Sequence, residues 1–344
     1  MTSSRIPSVD FFRCVAILMV VLFHYDKLVP SGLLGVDMFF VISGYLVSRP
    51  YLLNLKNGQR ADWWTFTVKR ATKIFPSYFA FIVGGYFLAK ILLLPDFPDQ
   101  VFSVNESSPY LFFYLNYVYS HPWIFKLAWS LCVEEHFYLF LTVLFLCITW
   151  LVSYTFRPRV LEWSIWVVIA SAIIFRITHH FYGDPYLAMT HLRMDSLMLG
   201  VLLSFQQIQL GKIQKNNWPV FFIGLLLFSG CVLSRHIDFG PFFFHVLLYT
   251  FMPIGCYLMM RGAMHFSFGD FKIVRWIADH SYAMYLWNAF ISFYILYVAE
   301  LPFFWGLVVY LLATAIAAFV MRKSIEEPGL KLRKFFLRTK IRDN

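Results

Sequence analysis

Long apolar segments recur along almost the whole chain, and they constrain its fold more than any other feature. Of the 344 residues, 60% are hydrophobic and only 14% are charged, whereas soluble domains carry about 25% charged residues. A run of about 20 apolar residues is what an α-helix needs to cross the hydrocarbon core of a bilayer. The composition therefore indicates an all-α, polytopic integral membrane protein.

The apolar segments predict about ten membrane-spanning helices joined mostly by short polar loops. Their approximate ranges are 8–28, 35–54, 75–94, 129–152, 161–180, 191–208, 218–234, 241–260, 280–299 and 302–321. Basic residues gather in every second loop, at 56–73, 157–159, 212–215 and 261–275, and again in the tail 322–342. Because cytoplasmic loops of membrane proteins carry an excess of Lys and Arg, this pattern predicts that both termini are cytoplasmic.

The net charge of +10 could indicate a nucleic-acid-binding protein, but the basic residues lie in the loops between apolar segments. The charge asymmetry of membrane proteins explains this distribution better, so nucleic acid is not expected as a partner and the lipid bilayer is. One membrane domain is predicted over residues 1–328, followed by a basic cytoplasmic tail over residues 329–344.

Ionisable residues in the first two apolar segments are the strongest candidates for chemistry. Arg13 and His24 are eleven residues apart, so they share one helix face and lie about 16 Å apart along the axis. Charged groups in a membrane helix cost about 2.5–3.5 kcal/mol each and normally face a protein interior or a cavity. A structural pair of Asp10 with Arg13 is the alternative, but His24 titrates near neutral pH at the predicted outer end. Asp37 enters the second helix at the same predicted depth.

A polar face begins the fourth predicted helix. Ser130, Glu134 and Tyr138 follow each other at four-residue intervals, so a hydroxyl, a carboxylate and a phenol lie on one side of the helix. Acidic residues at the start of a helix also interact favourably with the helix dipole. That explanation accounts for one glutamate better than for the two at 134 and 135. The pattern favours contact with a substrate.

Two further clusters have a structural and a functional interpretation. Lys69, Arg70 and Lys73 precede the third predicted helix, where they could hold phosphates or simply anchor the helix on the cytoplasmic side. Arg193 and Asp195 begin the sixth predicted helix and point in different directions, so each needs a partner elsewhere. For this pair a structural ion pair and a substrate contact are both open.

The sequence predicts neither a metal site nor a permanently bound cofactor. The five cysteines all fall within apolar segments, and none of them pairs at a metal-ligand spacing. His179, His180 and Asp184 could indicate a metal, but two adjacent histidines do not lie on one helix face. We expect these residues to belong to an outer loop.

These motifs, in this order, resemble the acyltransferase 3 family over roughly residues 6–328. The family's Arg-x10-His pattern is matched by Arg13 and His24, and its Gly-Val-Asp-x-Phe-Phe-Val-x-Ser-Gly block by residues 35–44. Its Trp-Ser-Leu-x-Val-Glu-x-Gln-Phe-Tyr block is matched by residues 129–138, with His136 in place of the usual Gln. Asn288 stands where the family usually has His.

The family's basic motif before an x-Pro is matched by Lys69, Arg70, Lys73 and Pro76. Lysine replaces the usual arginine at 69 and 73, which keeps the charge but loses the bidentate geometry that arginine offers to phosphate. The resemblance implies that these residues hold the phosphates of acyl-CoA, with acetyl-CoA as the expected donor. Arg13 would then line the passage of the donor through the membrane.

The resemblance implies a membrane-bound acyltransferase of the bacterial cytoplasmic (inner) membrane. It would move an acyl group from cytoplasmic acyl-CoA to a hydroxyl of a surface or exported saccharide, free or lipid-linked. His24 would be the general base or a transient acyl carrier, and Asp37 would orient its ring. Glu134 would bind the acceptor or share the orienting task. Contacts with the acceptor are predicted for four further side chains, Ser130, Tyr138, Arg193 and Asp195.

A transporter is the competing prediction from another class of protein, because intramembrane His, Asp and Glu residues also form proton relays. The uninterrupted predicted helices and the lack of a visible internal repeat favour an enzyme over a transporter. A translocase that carries acyl groups outward stays open on the sequence alone. A catalytically inactive regulator is disfavoured by the intact pair of Arg13 and His24.

Overall fold

The computed structural model describes residues 5–184 and 186–342, and within these ranges it contains helices and loops but no strand. Seven helical segments of the described chain are long and apolar enough to cross a membrane. They are Pro7–His24, Pro30–Lys56, Trp63–Leu92, Trp123–Leu151, Tyr154–Phe181, Phe243–Gly262 and Phe303–Leu337. Two shorter apolar helices, Met194–Ile208 and Trp218–Ser234, add to them. The prediction of an all-α polytopic membrane protein is confirmed, and the orientation of the termini stays a prediction.

We number the α-helices in chain order. They are α1 Pro7–His24, α2 Gly35–Lys56, α3 Trp63–Leu92, α4 Ser108–Leu111, α5 Ala128–Leu151, α6 Arg157–Phe181, α7 Met194–Ile208, α8 Trp218–Ser234, α9 Leu248–Gly262, α10 Lys272–Phe293, α11 Phe303–Met321 and α12 Glu327–Arg342. Three π-helical segments adjoin them, Phe243–Leu247 before α9, Tyr294–Val298 after α10 and Arg322–Glu326 between α11 and α12. Each predicted span overlaps a helix of this set, with bounds that differ by up to twelve residues.

The third helix begins much earlier than the apolar pattern predicted, at Trp63 rather than near residue 75. Asp62 caps it, since its side chain accepts a hydrogen bond from the backbone N–H of Thr65 at 3.1 Å. The first turns of α3 are basic and therefore did not register as part of an apolar segment. As a consequence, Lys69, Arg70 and Lys73 lie within the helix and not in front of it.

The predicted tail is helical as well. Helix α12 runs through Arg342, so it contains most of the segment predicted over 329–344, while Asp343 and Asn344 lie outside the described residues. Three of its apolar side chains are exposed, Leu332, Phe335 and Phe336. These exposed apolar residues fit contact with lipid.

The chain divides into two compact units. The first contains the chain up to Val20, Val29–Ala61 and Cys132–Ala278. In this unit α2 and α7 pack closely at glycines: a Cβ atom at Gly44 would fall 1.8 Å from the carbonyl oxygen of Leu197. Small residues let helix backbones approach this closely in membranes, where packing rather than the hydrophobic effect holds helices together.

The second unit contains Val21–Leu28, Asp62–Leu131 and the chain from Asp279 onward. Within it, the long loop after α3 folds back onto that helix. The hydroxyl of Tyr78 donates a hydrogen bond to the carbonyl oxygen of Tyr110 at 2.8 Å, and Tyr110 stacks on Phe102. The loop is therefore an ordered aromatic cap.

Candidate functional site

His24 is the last residue of α1, and its side chain is buried in the second unit. Its ring packs against Trp123, with ring centroids 5.6 Å apart, and meets Phe23 edge-on at 5.0 Å. Trp123 is held in turn, because its backbone N–H donates to Oε1 of Gln100 at 3.1 Å. The imidazole thus lies in an aromatic setting that limits its contact with water.

Three hydroxyl groups fix the carboxyl-terminal turn of α1. Ser292 donates to the carbonyl oxygen of His24, and Tyr310 donates to that of Val21 at 2.9 Å. Tyr25 donates to the carbonyl oxygen of Phe303 at 2.7 Å. Carbonyls at a helix end have no partner within the helix, so these bonds with α10 and α11 hold the backbone on either side of His24.

Arg13 lies on the same unbroken helix as His24, half-buried. The helix is continuous between the two residues, which supports the predicted separation of about 16 Å along the axis. Asp10 forms an ion pair with Arg5, a partner that the sequence spacing did not indicate.

Glu134 lies at the centre of a hydroxyl cluster in the first unit. The hydroxyl of Ser43 donates to Oε2 of Glu134 at 3.0 Å, and that of Tyr138 donates to the same oxygen. The two hydroxyl oxygens are 2.7 Å apart. The predicted neighbours Glu134 and Tyr138 do meet, while Ser43 comes from α2 and was not predicted as a site residue.

Ser130 contacts a hydroxyl group from another helix. Its hydroxyl lies 2.6 Å from that of Tyr285 and 3.2 Å from the carbonyl oxygen of Leu127. Asn288, on the same helix as Tyr285, donates to the backbone carbonyls of Met284 and Tyr285 at 3.0 and 2.8 Å. The amide that replaces the family's usual histidine is therefore bound to its own helix.

Asp37 is completely buried and forms an ion pair with Arg193. Nη2 of Arg193 lies 3.1 Å from Oδ1, and Ser196 donates to the same oxygen at 3.3 Å. The guanidinium also lies over the ring of Tyr249, at 4.2 Å from its centroid. The partner that Arg193 required is thus Asp37, the residue predicted to orient His24.

Asp195 forms a second buried ion pair, with Arg176. Nη1 of Arg176 donates to Oδ1 at 2.8 Å and Nη2 donates to Oδ2, so the contact is bidentate. Nη2 also donates to Thr250 at 3.0 Å. Sequence reasoning missed Arg176, which lies near the carboxyl-terminal end of α6. Of the two interpretations of Arg193 and Asp195, these contacts favour structural ion pairs.

The basic cluster lies on the first turns of α3, in the second unit. Lys69 is exposed, while Arg70 and Lys73 are half-buried. The guanidinium of Arg70 lies 5.9 Å from the ring centroid of Phe66, one turn earlier. Lys69 and Lys73 are four residues apart and lie on neighbouring positions of the helix surface.

Histidines lie in the last turn of α6 and in the segments that precede α7 and α9. Nε2 of His179 lies 3.3 Å from Oδ2 of Asp184, and Nδ1 of His180 lies 3.3 Å from Nδ1 of His245. Within residues 5–184 and 186–342, no group of three or more His, Cys, Asp or Glu side chains is placed to hold a metal ion.

Curated proteins similar to this chain include several that are named O-acetyltransferases. A candidate peptidoglycan O-acetyltransferase of Bacillus subtilis, YrhL, is 26% identical over 350 residues, which cover 94% of this chain and 54% of that protein. The O-acetyltransferase OatA of Staphylococcus aureus is 26% identical over 363 residues, covering 94% of this chain and 57% of OatA. The chain spans about half the length of the curated relatives it matches. No solved structure matches the chain.

The family comparison covers nearly the whole chain. The model of the acyltransferase domain family, acyltransferase 3, matches residues 6–323. That range includes α1 with Arg13 and His24, the basic turns of α3 and the Glu134 cluster. The chain belongs to the acyltransferase 3 family.

Proposed function

We propose that this chain is a membrane-bound O-acyltransferase, with acetyl as the acyl group, acting on a hydroxyl of a surface or exported saccharide. The observation that carries the proposal is the buried His24 ring, held at a helix end in a chain related to proteins named O-acetyltransferases. One of those names specifies peptidoglycan, which makes a cell-wall sugar the first acceptor to test. The bacterial cytoplasmic membrane is the proposed location.

In the proposed reaction, His24 takes the proton from the acceptor hydroxyl. The hydroxyl oxygen then attacks the thioester carbonyl of acyl-CoA, and the carbon–sulfur bond breaks. The thiolate of CoA leaves and receives the proton from the imidazolium. A positioned general base contributes about 100- to 10,000-fold to such a rate. In the covalent alternative, the His24 ring carries the acyl group before the acceptor takes it.

The surroundings of His24 suit this chemistry. Trp123 and Phe23 cover the ring with apolar surface, and a site that excludes water protects an activated thioester from hydrolysis. Hydrogen bonds on both sides of His24 keep the backbone in one position, which favours a fixed geometry for proton transfer.

The contacts in the structure support the proposed roles of the other predicted site residues to different degrees. Glu134 and Tyr138 are proposed to bind the acceptor, because hydroxyl donors hold the carboxylate in one orientation. Ser130 stays a proposed contact. Asp37 stays a proposed orienting residue for His24, although its ion pair with Arg193 favours a structural role.

Neutralising the basic cluster tests the donor side of the proposal. The triple variant Lys69→Gln/Arg70→Gln/Lys73→Gln is expected to raise the apparent KM for acetyl-CoA at least about tenfold, since each lost contact with phosphate is a charge-assisted hydrogen bond. Transfer of radiolabelled acetyl groups in isolated membranes measures it. The matched control is Lys212→Gln/Lys215→Gln, two exposed cations that are predicted on the same side. An unchanged KM would mean that the cluster does not bind the donor and serves only to keep this end of α3 on the cytoplasmic side.

Comparing Glu134 with Glu135 tests the acceptor side. Glu134→Gln is expected to lower the rate at saturating acetyl-CoA by about tenfold or more, because it removes a charge that Ser43 and Tyr138 hold in place. Glu135→Gln serves as the control, since Glu135 lies about 100° away around the helix. Steady-state rates at equal membrane abundance decide the question. A greater loss at Glu135 would contradict the assignment.

The transporter or acyl-group translocase stays the second candidate because charged side chains are buried in the apolar helices of the first unit. It predicts passage of acyl groups or another solute across proteoliposome membranes without O-acylation of a saccharide. Mass spectrometry of cell-surface glycans from cells with and without the chain separates the two. Equal acetylation in both would reject the proposed enzyme activity.

A further inference from the structure

Helix α12 packs against the basic first half of α3 at a glycine. A Cβ atom built at Gly329 would lie 2.7 Å from the carbonyl oxygen of Thr72 and 3.2 Å from Cγ of Pro76. A side chain would therefore push the helices apart, and the glycine permits the close contact. Both helices belong to the second unit. Gly329 thereby holds α12 beside the turns that carry the proposed phosphate-binding cations.

One cation of α12 lies on the packed side of the helix. Arg333 follows Gly329 by four residues, so it lies only about 40° away around the helix. Its side chain is half-buried, whereas Lys331 and Lys334 are exposed. Glu326, on the same side and one turn earlier, is buried. The partial burial of Arg333 and its position one turn after the contact at Gly329 both indicate that Arg333 faces α3.

On α3, the side that meets α12 also carries Lys69. Lys69 precedes Thr72 by three residues and lies about 60° from it around the helix, and Lys73 lies about 100° from it. Arg333 lies about 6 Å along α12 from Gly329, while Lys69 and Lys73 lie about 4.5 and 1.5 Å along α3 from Thr72. Because Gly329 contacts Thr72, these long side chains start within a turn of the same helix contact.

Bringing these cations together favours an anion between them. A phosphate group among these side chains would accept charge-assisted hydrogen bonds from more than one of them. Lysines at 69 and 73 hold phosphate as point charges, whereas a guanidinium offers a bidentate fork. Arg333 supplies that fork from another helix.

We propose that Arg333 is part of the donor site and binds a phosphate group of CoA together with Lys69 and Lys73. The proposal rests on the proposed function, because it takes CoA as the donor. It assigns to the carboxyl-terminal helix a role in substrate binding in addition to its contact with lipid. The exposed Leu332, Phe335 and Phe336 of α12 fit that lipid contact, so a phospholipid headgroup is the other source of the same phosphate chemistry.

Calorimetric titration of CoA into the full chain tests this proposal, with the protein in nanodiscs of phosphatidylcholine. Arg333→Gln is expected to raise the Kd for CoA about tenfold, the loss of one hydrogen bond between charged groups. Arg333→Lys should recover part of the affinity. Lys331→Gln and Lys334→Gln, which neutralise exposed cations of the same helix, should stay within about twofold of the unaltered chain.

Elution volume and thermal unfolding of each variant show whether the fold is kept. If the folded Arg333→Gln chain binds CoA as tightly as the two controls do, the inference is wrong, while the proposed function stands. If the unaltered chain does not bind CoA, the donor assignment itself fails. A second set of nanodiscs contains phosphatidylglycerol: loss of that lipid from the Arg333→Gln chain, with unchanged affinity for CoA, would assign Arg333 to a lipid headgroup and overturn the inference.

Discussion

Replacing His24 by alanine is expected to lower acetyl transfer by about 100- to 10,000-fold, the contribution of a general base. The reason is chemical, because alanine has no group that could take the proton from the acceptor hydroxyl, whereas the His24 ring is buried at the end of α1. Membranes with equal amounts of each variant, supplied with radiolabelled acetyl-CoA and a peptidoglycan acceptor, give the rates. His236→Ala is the matched control, since that histidine is exposed.

Truncating His24 also removes a buried ring, so the loss of activity must be separated from a loss of folding. His24→Gln fills more of the space and keeps a polar group, yet it cannot accept and release a proton near neutral pH. Both variants should be inactive while their thermal unfolding differs. Transfer by His24→Ala at the unaltered rate would remove His24 from the mechanism. A label on His24 that hydroxylamine releases would favour the acyl carrier over the base.

Replacing Arg176 by leucine is expected to lower the free energy of unfolding by about 3–5 kcal/mol, because Asp195 would be left buried without its bidentate partner. Unfolding of the purified chain in mixed micelles by increasing denaturing detergent measures the change. The exposed ion pair of Arg275 with Asp270 provides the control. Arg275→Leu should cost less than about 1 kcal/mol.

The double variant Arg176→Leu/Asp195→Leu completes this test. Removing both charges avoids the unpaired carboxylate, so the double variant should be more stable than Arg176→Leu alone. If the single variant loses no more stability than Arg275→Leu, the buried pair is not what holds α6 to α7. Any acetyl transfer retained by a stable double variant would argue against substrate binding by Asp195.

The sequence was informative where the structure depends on neighbours in the chain. Apolar periodicity located the helices, and the four-residue spacing correctly placed Tyr138 beside Glu134. The start of α3 was misplaced, because the free energy of a helix start depends on the Asp62 cap and not on hydropathy. Local rules sufficed for these features and failed at helix boundaries, here and at the start of α10, which lies at Lys272 rather than near residue 280.

Contacts between helices that are far apart along the chain could not be predicted from such local rules. The spacing of Arg193 and Asp195 showed that each needs a partner, but Asp37 is 156 residues away from Arg193 along the chain. Ser43 reaches Glu134 across 91 residues, and Ser130 reaches Tyr285 across 155. Which helices meet is decided by their packing, at positions such as Gly44, and a single sequence carries little information on that.

The hydrogen bonds at the end of α1 bear on the order in which the protein is made. Ser292 and Tyr310 lie 268 and 289 residues after the carbonyls of His24 and Val21 to which they donate. During translation, α1 enters the membrane long before α10 and α11 leave the ribosome. The turn that carries His24 therefore acquires these supports only after α10 and α11 have been inserted.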